Sequence, residues 1–154
     1  MEISLKQACK NDLLTAYNLL HELAEYESLL NEFSLTEDQL KKILFSTKPD
    51  AYAVLSYANN EPCGILLYYY TVSTFSGLMN LYVEDFFIKP EFRRKGIGRK
   101  MFDLIIKTAS DKNCGKIEWK VLSDNYPAIK FYENIGGKEN KMWKTYDLKN
   151  LKWI

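Results

Sequence analysis

A single histidine, His21, is all that the 154 residues contain, and this scarcity removes whole catalytic plans. A Ser-His-Asp or Cys-His machine would rest wholly on a side chain inside an apolar-periodic helix pattern, where a histidine is usually structural or at the surface. Cysteine is scarce as well. Cys9, Cys63 and Cys114 are odd in number, widely spaced and form no CxxC pair, so no zinc site or disulfide framework is suggested and no metal is expected. Charge of either sign is nearly balanced at +1, which argues against a chain held on nucleic acid by bulk electrostatics. No apolar run is long enough to cross a bilayer. The opening MEISLKQACK lacks the h-region of a signal peptide. The expectation is a cytoplasmic protein in a reducing compartment, with neither nucleic acid nor membrane as partner. Internal repeats and low-complexity linkers are absent too.

What is present fits one domain, 1–154, because this length with 47% hydrophobic content can bury a single core. Leu13, Ala16, Leu20, Leu23 and Ala24 recur at helical spacing, and TEDQ from Thr36 to Gln39 is a capping box opening a helix through about Phe45. Two helices are therefore expected first. AYAVLSY, ANNEP and CGILLYYYTVS read as two strands joined by a turn, and LMNLYVEDFFI after TFSG reads as a third, giving an antiparallel meander. A helix from about Gly98 to Lys112 shows Met101, Ile105 and Ala109 on one face, and KIEWKVL follows as a strand. Strand, helix, strand implies a parallel crossover. Asp124 and Asn125 can cap a further helix with Pro127 in its first turn, Gly136 and Gly137 end it, and KMWKTYDL is expected as a last strand. The class is mixed α/β around one central sheet.

The stretch YVEDFFIKPEFRRKGIGRKMF joins the end of a strand to the start of a helix through Arg93, Arg94, Lys95, Gly96, Gly98, Arg99 and Lys100. Free N–H groups at a helix N-terminus, glycines that let the chain come close, and surrounding cations form an anion cradle fit for a diphosphate. A solvated basic loop, with a glycine only for turn geometry, stands as the other reading of these residues. The spacing is neither Walker A, since no GK[ST] follows, nor the GxGxxG dinucleotide fingerprint.

RRKGIG after EDFFIKPEF resembles the acetyl-CoA signature of the GNAT superfamily of N-acetyltransferases, and SDNYPAIKFYENIGG, 123–137, resembles its second signature. HELAEYE, LTEDQL and LYVEDFF are similar to the diamine branch, the spermidine/spermine and thialysine N-acetyltransferases, so the resemblance covers nearly the whole chain. It implies a GNAT-like fold with a mostly antiparallel sheet, one parallel crossover and flanking helices, and it implies acetyl-CoA as cosubstrate. Carried over, Phe86, Phe87 and Ile88 would offer main-chain groups to the pantetheine arm. Arg94, Lys95, Gly96, Ile97, Gly98 and Arg99 would hold the pyrophosphate, with Arg93 and Lys100 reaching peripheral phosphate oxygens. Asn125, Tyr126, Pro127 and Ala128 would flank the arm on its other side.

An alkylamine of pKa about 10.4 is free base in only about one molecule per thousand at neutral pH, so something must take its proton. The resemblance places Glu84 at the position where the diamine enzymes contact the acceptor, as base through a water. Without it, Glu84 reads first as an exposed strand carboxylate. Asp85, on the opposite face by strand alternation, is expected to be a structural partner. Tyr132 matches the family's proton donor to the leaving thiolate; among eleven tyrosines a packing role is the alternative. The amides of Phe86, Phe87 and Ile88 could polarise the thioester carbonyl.

From Asn11 through Leu40 there is no Lys or Arg, while Asp12, Glu22, Glu25, Glu27, Glu32, Glu37 and Asp38 are present. This is either a solvated acidic face or one complementary to a cationic amine. Tyr26 and Glu27 match acceptor-contacting positions of the diamine enzymes. Two departures bear on the acceptor: the loop Thr71 to Leu78 carries no acid, and Lys141 stands where an acidic contact would be expected. Both disfavour a long polycation and leave a short diamine, a lysine-like amino acid or another small amine. A protein or peptide amine, or a CoA-binding module without turnover, stays as the alternative. The tail KMWKTYDLKNLKWI, with Trp143, Tyr146 and Trp153 needing cover, together with the resemblance, leads to the expectation of a homodimer.

Overall fold

The alternating runs form the strands expected of them. In a computed structural model that describes residues 1–148, the chain falls into two compact units, Met1–Lys120 and the residues from Val121 onward. The first unit holds one five-stranded sheet in the spatial order β1-β2-β3-β4-β5: β1 (Ile3–Gln7), β2 (Tyr52–Ala58), β3 (Glu61–Ser73), β4 (Leu78–Ile88) and β5 (Ile117–Trp119). The first four pair antiparallel in sequence order, and β5 runs parallel to β4. The crossover between β4 and β5 is helix α3 (Ile97–Asp111), as the pattern required. Mixed α/β class, meander and crossover thus agree with the sequence reading.

Two boundaries differ. A strand, β1, precedes the first helix, where two leading helices were expected. It is an edge strand of five residues with only Ile3 and Leu5 half-buried, too short for alternation to register. β5 keeps three residues of the seven in KIEWKVL, since a strand lasts only as long as its neighbour supplies partners.

Helices pack on both sides of the sheet. α1 (Leu13–Tyr26) buries Ala16, Leu19, Leu20, Leu23 and Ala24, and α2 (Glu37–Phe45) buries Leu40 and Leu44. These meet Ile65 and Leu67 of β3 and Phe87 of β4 in one cluster. The capping box is in place: Gln39 N–H donates to Thr36 Oγ1 over 3.2 Å, and Thr36 N–H donates to the Gln39 side chain over 2.8 Å. On the other face, Phe102 of α3 lies edge-on to Phe86 and Trp119, with ring centres 5.0 and 5.6 Å apart. Phe102 is fully buried, and a side chain of this type stabilises the fold by about 1.5–3 kcal/mol through burial. Gly64 is a steric necessity: a Cβ there would stand 2.6 Å from the Phe87 carbonyl oxygen and 2.7 Å from Ser56 Oγ. Among the described residues, no helix is long and apolar enough to cross a membrane.

The second unit contains α4 (Tyr126–Asn134). Asn125 caps it, its side-chain oxygen accepting from Ala128 N–H over 3.3 Å, and Pro127 sits in the first turn where a missing donor costs nothing. Gly136 at φ +94° closes it, with Gly137 N–H donating to Tyr132 O and Gly136 N–H to Glu133 O. The expected last strand is absent: KMWKTYDL has no strand conformation. A strand needs a neighbour for its N–H and C=O groups, and none is provided among the described residues of this unit. Trp143 and Tyr146 are exposed; Trp153 lies outside the described residues.

Candidate active site

The register between β3 and β4 slips at one point. Leu67 faces Asp85, but Tyr68 faces Val83, which leaves Glu84 as an extra residue. Such a β-bulge bends the strand and re-aims side chains. It also overturns the expectation that Asp85 lies on the face opposite Glu84. Leu67 and Tyr69 share a face; Asp85 stands opposite Leu67, and Glu84 accepts a hydrogen bond from Tyr69 Oη over 3.2 Å. Both carboxylates are therefore delivered to the side of the sheet that carries α1.

That arrangement shows in the titration of the groups. Burial, followed by the charges of Glu84 and Glu27, pushes the Asp85 carboxyl up to about 7. Glu27, the C-cap of α1, is raised by burial as well. Tyr69 is pushed up to about 12 by burial, the Glu84 charge and the hydrogen bond it donates. Tyr69 was not among the residues singled out by sequence. Its ring lies 5.2 Å from that of Tyr82, and only the pairing of β3 with β4 reveals its partner.

β4 is also where the sheet comes apart. Pairing to β3 runs through Ile88, whereas pairing to β5 ends at Val83 and Trp119. Among the described residues, the pairing of β4 with β5 therefore does not extend along Glu84 to Ile88, the stretch that carries Phe86, Phe87 and Ile88. The Ile88 carbonyl is already used, since it accepts from Arg93 Nε over 2.8 Å.

The turn that follows has the backbone an anion cradle needs. Arg94 adopts φ +60° and Gly96 φ +80° before α3 begins at Ile97. Lys100 N–H is bonded back to Gly96 O over 3.1 Å, and the amides of Ile97, Gly98 and Arg99, earlier in the first turn, have no intrahelical acceptor. A Cβ on Gly96 would meet no atom within 4 Å, so the approach to this turn is open, and acetyl-CoA phosphates fit it by charge and by donor geometry. The side chain of Ile97 is buried in the core, leaving its backbone as what it offers, while Phe87 buries its side chain and turns its main-chain groups to β3.

The cations divide. Arg94, Lys95, Arg99 and Lys100 are exposed. Arg99 Nε also holds Asp103 over 2.8 Å, and Lys95 Nζ donates to Glu91 O over 2.8 Å. Arg93 was expected beside a peripheral phosphate, but it is turned inward, its guanidinium carbon 4.1 Å above the Tyr26 ring. Tyr26 in turn lies 6.1 Å from Phe87. The first unit therefore brings Tyr26, Glu27, Glu84, Asp85, Phe87 and Arg93 into one region beside the turn. Asn125, Tyr126, Pro127 and Ala128 at the start of α4, and Tyr132 within it, belong to the second unit. There the Tyr132 ring lies 5.5 Å from that of Phe131.

Residues 13–136 match the profile of the Acetyltransferase (GNAT) family. The chain belongs to that family. It is 31% identical over 145 residues to thialysine N-epsilon-acetyltransferase of Sus scrofa, covering 89% of this chain and 85% of the relative. It is 23% identical over 185 residues to L-ornithine N5-acetyltransferase NATA1 of Arabidopsis thaliana, covering 91% and 81%. Among solved structures, an integron cassette protein of V. cholerae superposes with a TM-score of 0.81 at 23% identity, covering 97% and 94% of the two chains, which establishes the shared fold. As a GNAT acetyltransferase, this chain is an acyltransferase that uses acetyl-CoA as cosubstrate and an amine as acceptor.

Proposed function

We propose that the acceptor is a small cationic amine, a short diamine or a lysine-like amino acid, acetylated on a primary amine by direct attack within a ternary complex. The bulge carries this reading: it sets Glu84 and Asp85 side by side on the face where the acidic end of α1 presents Glu27. Glu27, Glu84 and Asp85, the first of them in a segment from Asn11 to Leu40 that holds no Lys or Arg, favour an ammonium group by complementarity. Relatives named for thialysine and ornithine acetylation support the same class. Lys141, ion-paired to Glu139 over 3.7 Å at the surface, is a poor neighbour for a long polycation.

In this mechanism the ammonium enters among Glu27, Glu84 and Asp85 and gives its proton to a carboxylate through water. The freed lone pair forms the C–N bond at the thioester carbonyl, the C–S bond breaks as the departing thiolate takes the Tyr132 proton, and the second proton lost by the nitrogen restores the phenol through water. Glu84 is the proposed base. The raised Asp85 carboxyl, basic near neutral pH, favours a second assignment in which Asp85 takes that proton. Arg94 to Arg99 hold the pyrophosphate, and Phe86 to Ile88 and Asn125 to Ala128 flank the pantetheine arm. The matched stretch 13–136 spans both units, which supports one transferase domain.

The test is release of free CoA from acetyl-CoA with a panel of amines: thialysine, lysine, ornithine, putrescine, spermidine and a basic peptide. Turnover led by the amino acids or short diamines is expected. Preference for the peptide would move the acceptor to protein, and CoA binding without turnover on any amine would leave a non-catalytic module.

A further inference from the structure

We propose that Arg93 is a positioning residue that couples the cofactor turn to the acceptor side of the site through the ring of Tyr26, and that it is not a phosphate ligand. The proposal rests on the reading of Tyr26 and Glu27 as acceptor contacts.

The geometry is specific. Among the basic residues of the turn, Arg93 is half-buried while Arg94, Lys95, Arg99 and Lys100 are exposed. Its Nε is committed to the Ile88 carbonyl over 2.8 Å. Its guanidinium carbon stands over aromatic surface, 4.1 Å from the Tyr26 ring centre and 5.9 Å from that of Phe87. A cation so placed is attracted by the electron-rich ring face and is partly withdrawn from water. Three elements meet at this one side chain: the last residue of α1, the last residue of β4, and the turn leading into α3.

The chain supplies the link to the cofactor. Arg93 is bonded directly to Arg94, whose φ of +60° opens the cradle, and Gly96 at φ +80° completes it. An anion that fixes these backbone angles also fixes where the stem of Arg93 begins, and hence how firmly the guanidinium sits on Tyr26. Glu27 follows Tyr26 at the end of α1, where the Glu27, Ser28 and Leu29 N–H groups donate to Leu23 O, Glu25 O and Ala24 O over 2.9, 3.0 and 2.8 Å and Ser28 takes φ +58°. Ordering this end before the amine arrives would raise amine affinity, and by linkage a bound amine would raise CoA affinity by the same factor.

Hydrogen exchange of the full chain, with and without CoA, tests the coupling independently of the acceptor. CoA should slow exchange of the Glu27, Ser28 and Leu29 amides by about fivefold or more in the wild type. Arg93→Met, which keeps the stem and removes the charge, should bind CoA within about threefold of wild type by calorimetry yet lose that protection. Arg93→Lys should restore part of it. With thialysine as the amine, Arg93→Met should raise KM by about tenfold and lower kcat less. Tyr26→Leu, at an exposed position, probes the pair from its other partner and should give the same loss, with the double variant no worse than either single one. Equal CoA-dependent protection in wild type and Arg93→Met, or no protection in either, overturns the proposal. So does a tenfold or greater, salt-dependent loss of CoA affinity in Arg93→Met, the mark of a phosphate contact. A wild type that binds CoA but does not acetylate thialysine counts against the acceptor reading alone, and the exchange result still decides the coupling.

Discussion

Tyr69 Oη and Glu84 Oε2 are 3.2 Å apart, with the phenol donating, so the bulged carboxylate is held by the strand from which it slipped. Tyr69→Phe removes that bond and leaves the ring against Tyr82. Turnover should fall by about threefold to tenfold through a less ordered Glu84, with CoA affinity unchanged. Glu84→Gln should cost more at low pH than at high pH, where free amine is plentiful. A Glu84→Gln deficit that is constant from pH 6 to pH 10 removes Glu84 as the base.

Asp85 gives the protein a pH dependence whose sign is fixed. Its folded value of about 7 lies above the ordinary carboxylate value of about 3.9. The folded state therefore binds the proton more tightly than the unfolded one, and stability declines as pH rises from about 4 to about 7, then levels off. Asp85→Asn should flatten this decline and exceed the wild type at pH 8 by on the order of 1–3 kcal/mol, with little difference at pH 4. Urea unfolding across that window is the measurement. A wild-type curve with no decline between pH 4 and 7 contradicts the raised carboxyl.

Gly96 separates conformation from crowding. At φ +80° with open space around it, Gly96→Val strains the backbone by about 1–2 kcal/mol and should weaken CoA binding measurably, whereas Gly96→Asn, which tolerates this conformation, should weaken it less. Equal affinity of all three proteins for CoA would show that the turn does not form the cradle.

Tyr132→Phe should leave CoA affinity nearly unchanged while lowering kcat by about tenfold to a thousandfold if the phenol protonates the thiolate. Unaltered turnover removes Tyr132 from the mechanism.

We propose a homodimer in which the exposed Trp143 and Tyr146 are covered by a second copy. Light scattering at micromolar concentration should give about twice the 18.0 kDa chain mass. A clean monomer refutes it.

Features written locally were the ones legible in the sequence. The Thr36–Gln39 cap, the Asn125 cap and the glycine that ends α4 depend on neighbours within a few residues, and they stand where the pattern placed them. The bulge was not legible, because a register slip is a property of two strands and nothing in VED distinguishes it from plain alternation. This is why Asp85 was assigned to the wrong face. Arg93 was grouped with the outward cations for a similar reason, since spacing gives charge but not side-chain direction. The strand expected in KMWKTYDL has the right composition and, among the described residues, no neighbour to pair with.

The end of β5 pairing at Val83 among the described residues has an evolutionary corollary for the rest of β4. A strand edge offers main-chain donors and acceptors that are the same whatever side chains the strand carries, so the residues along it are free to drift with the packing beneath them. Recognition written in the backbone is nearly immune to point substitution. Proline is the exception, because it deletes the N–H itself; a proline at Phe86 or Ile88, whose main-chain groups point away from β3, would do to such an edge what no other single replacement can.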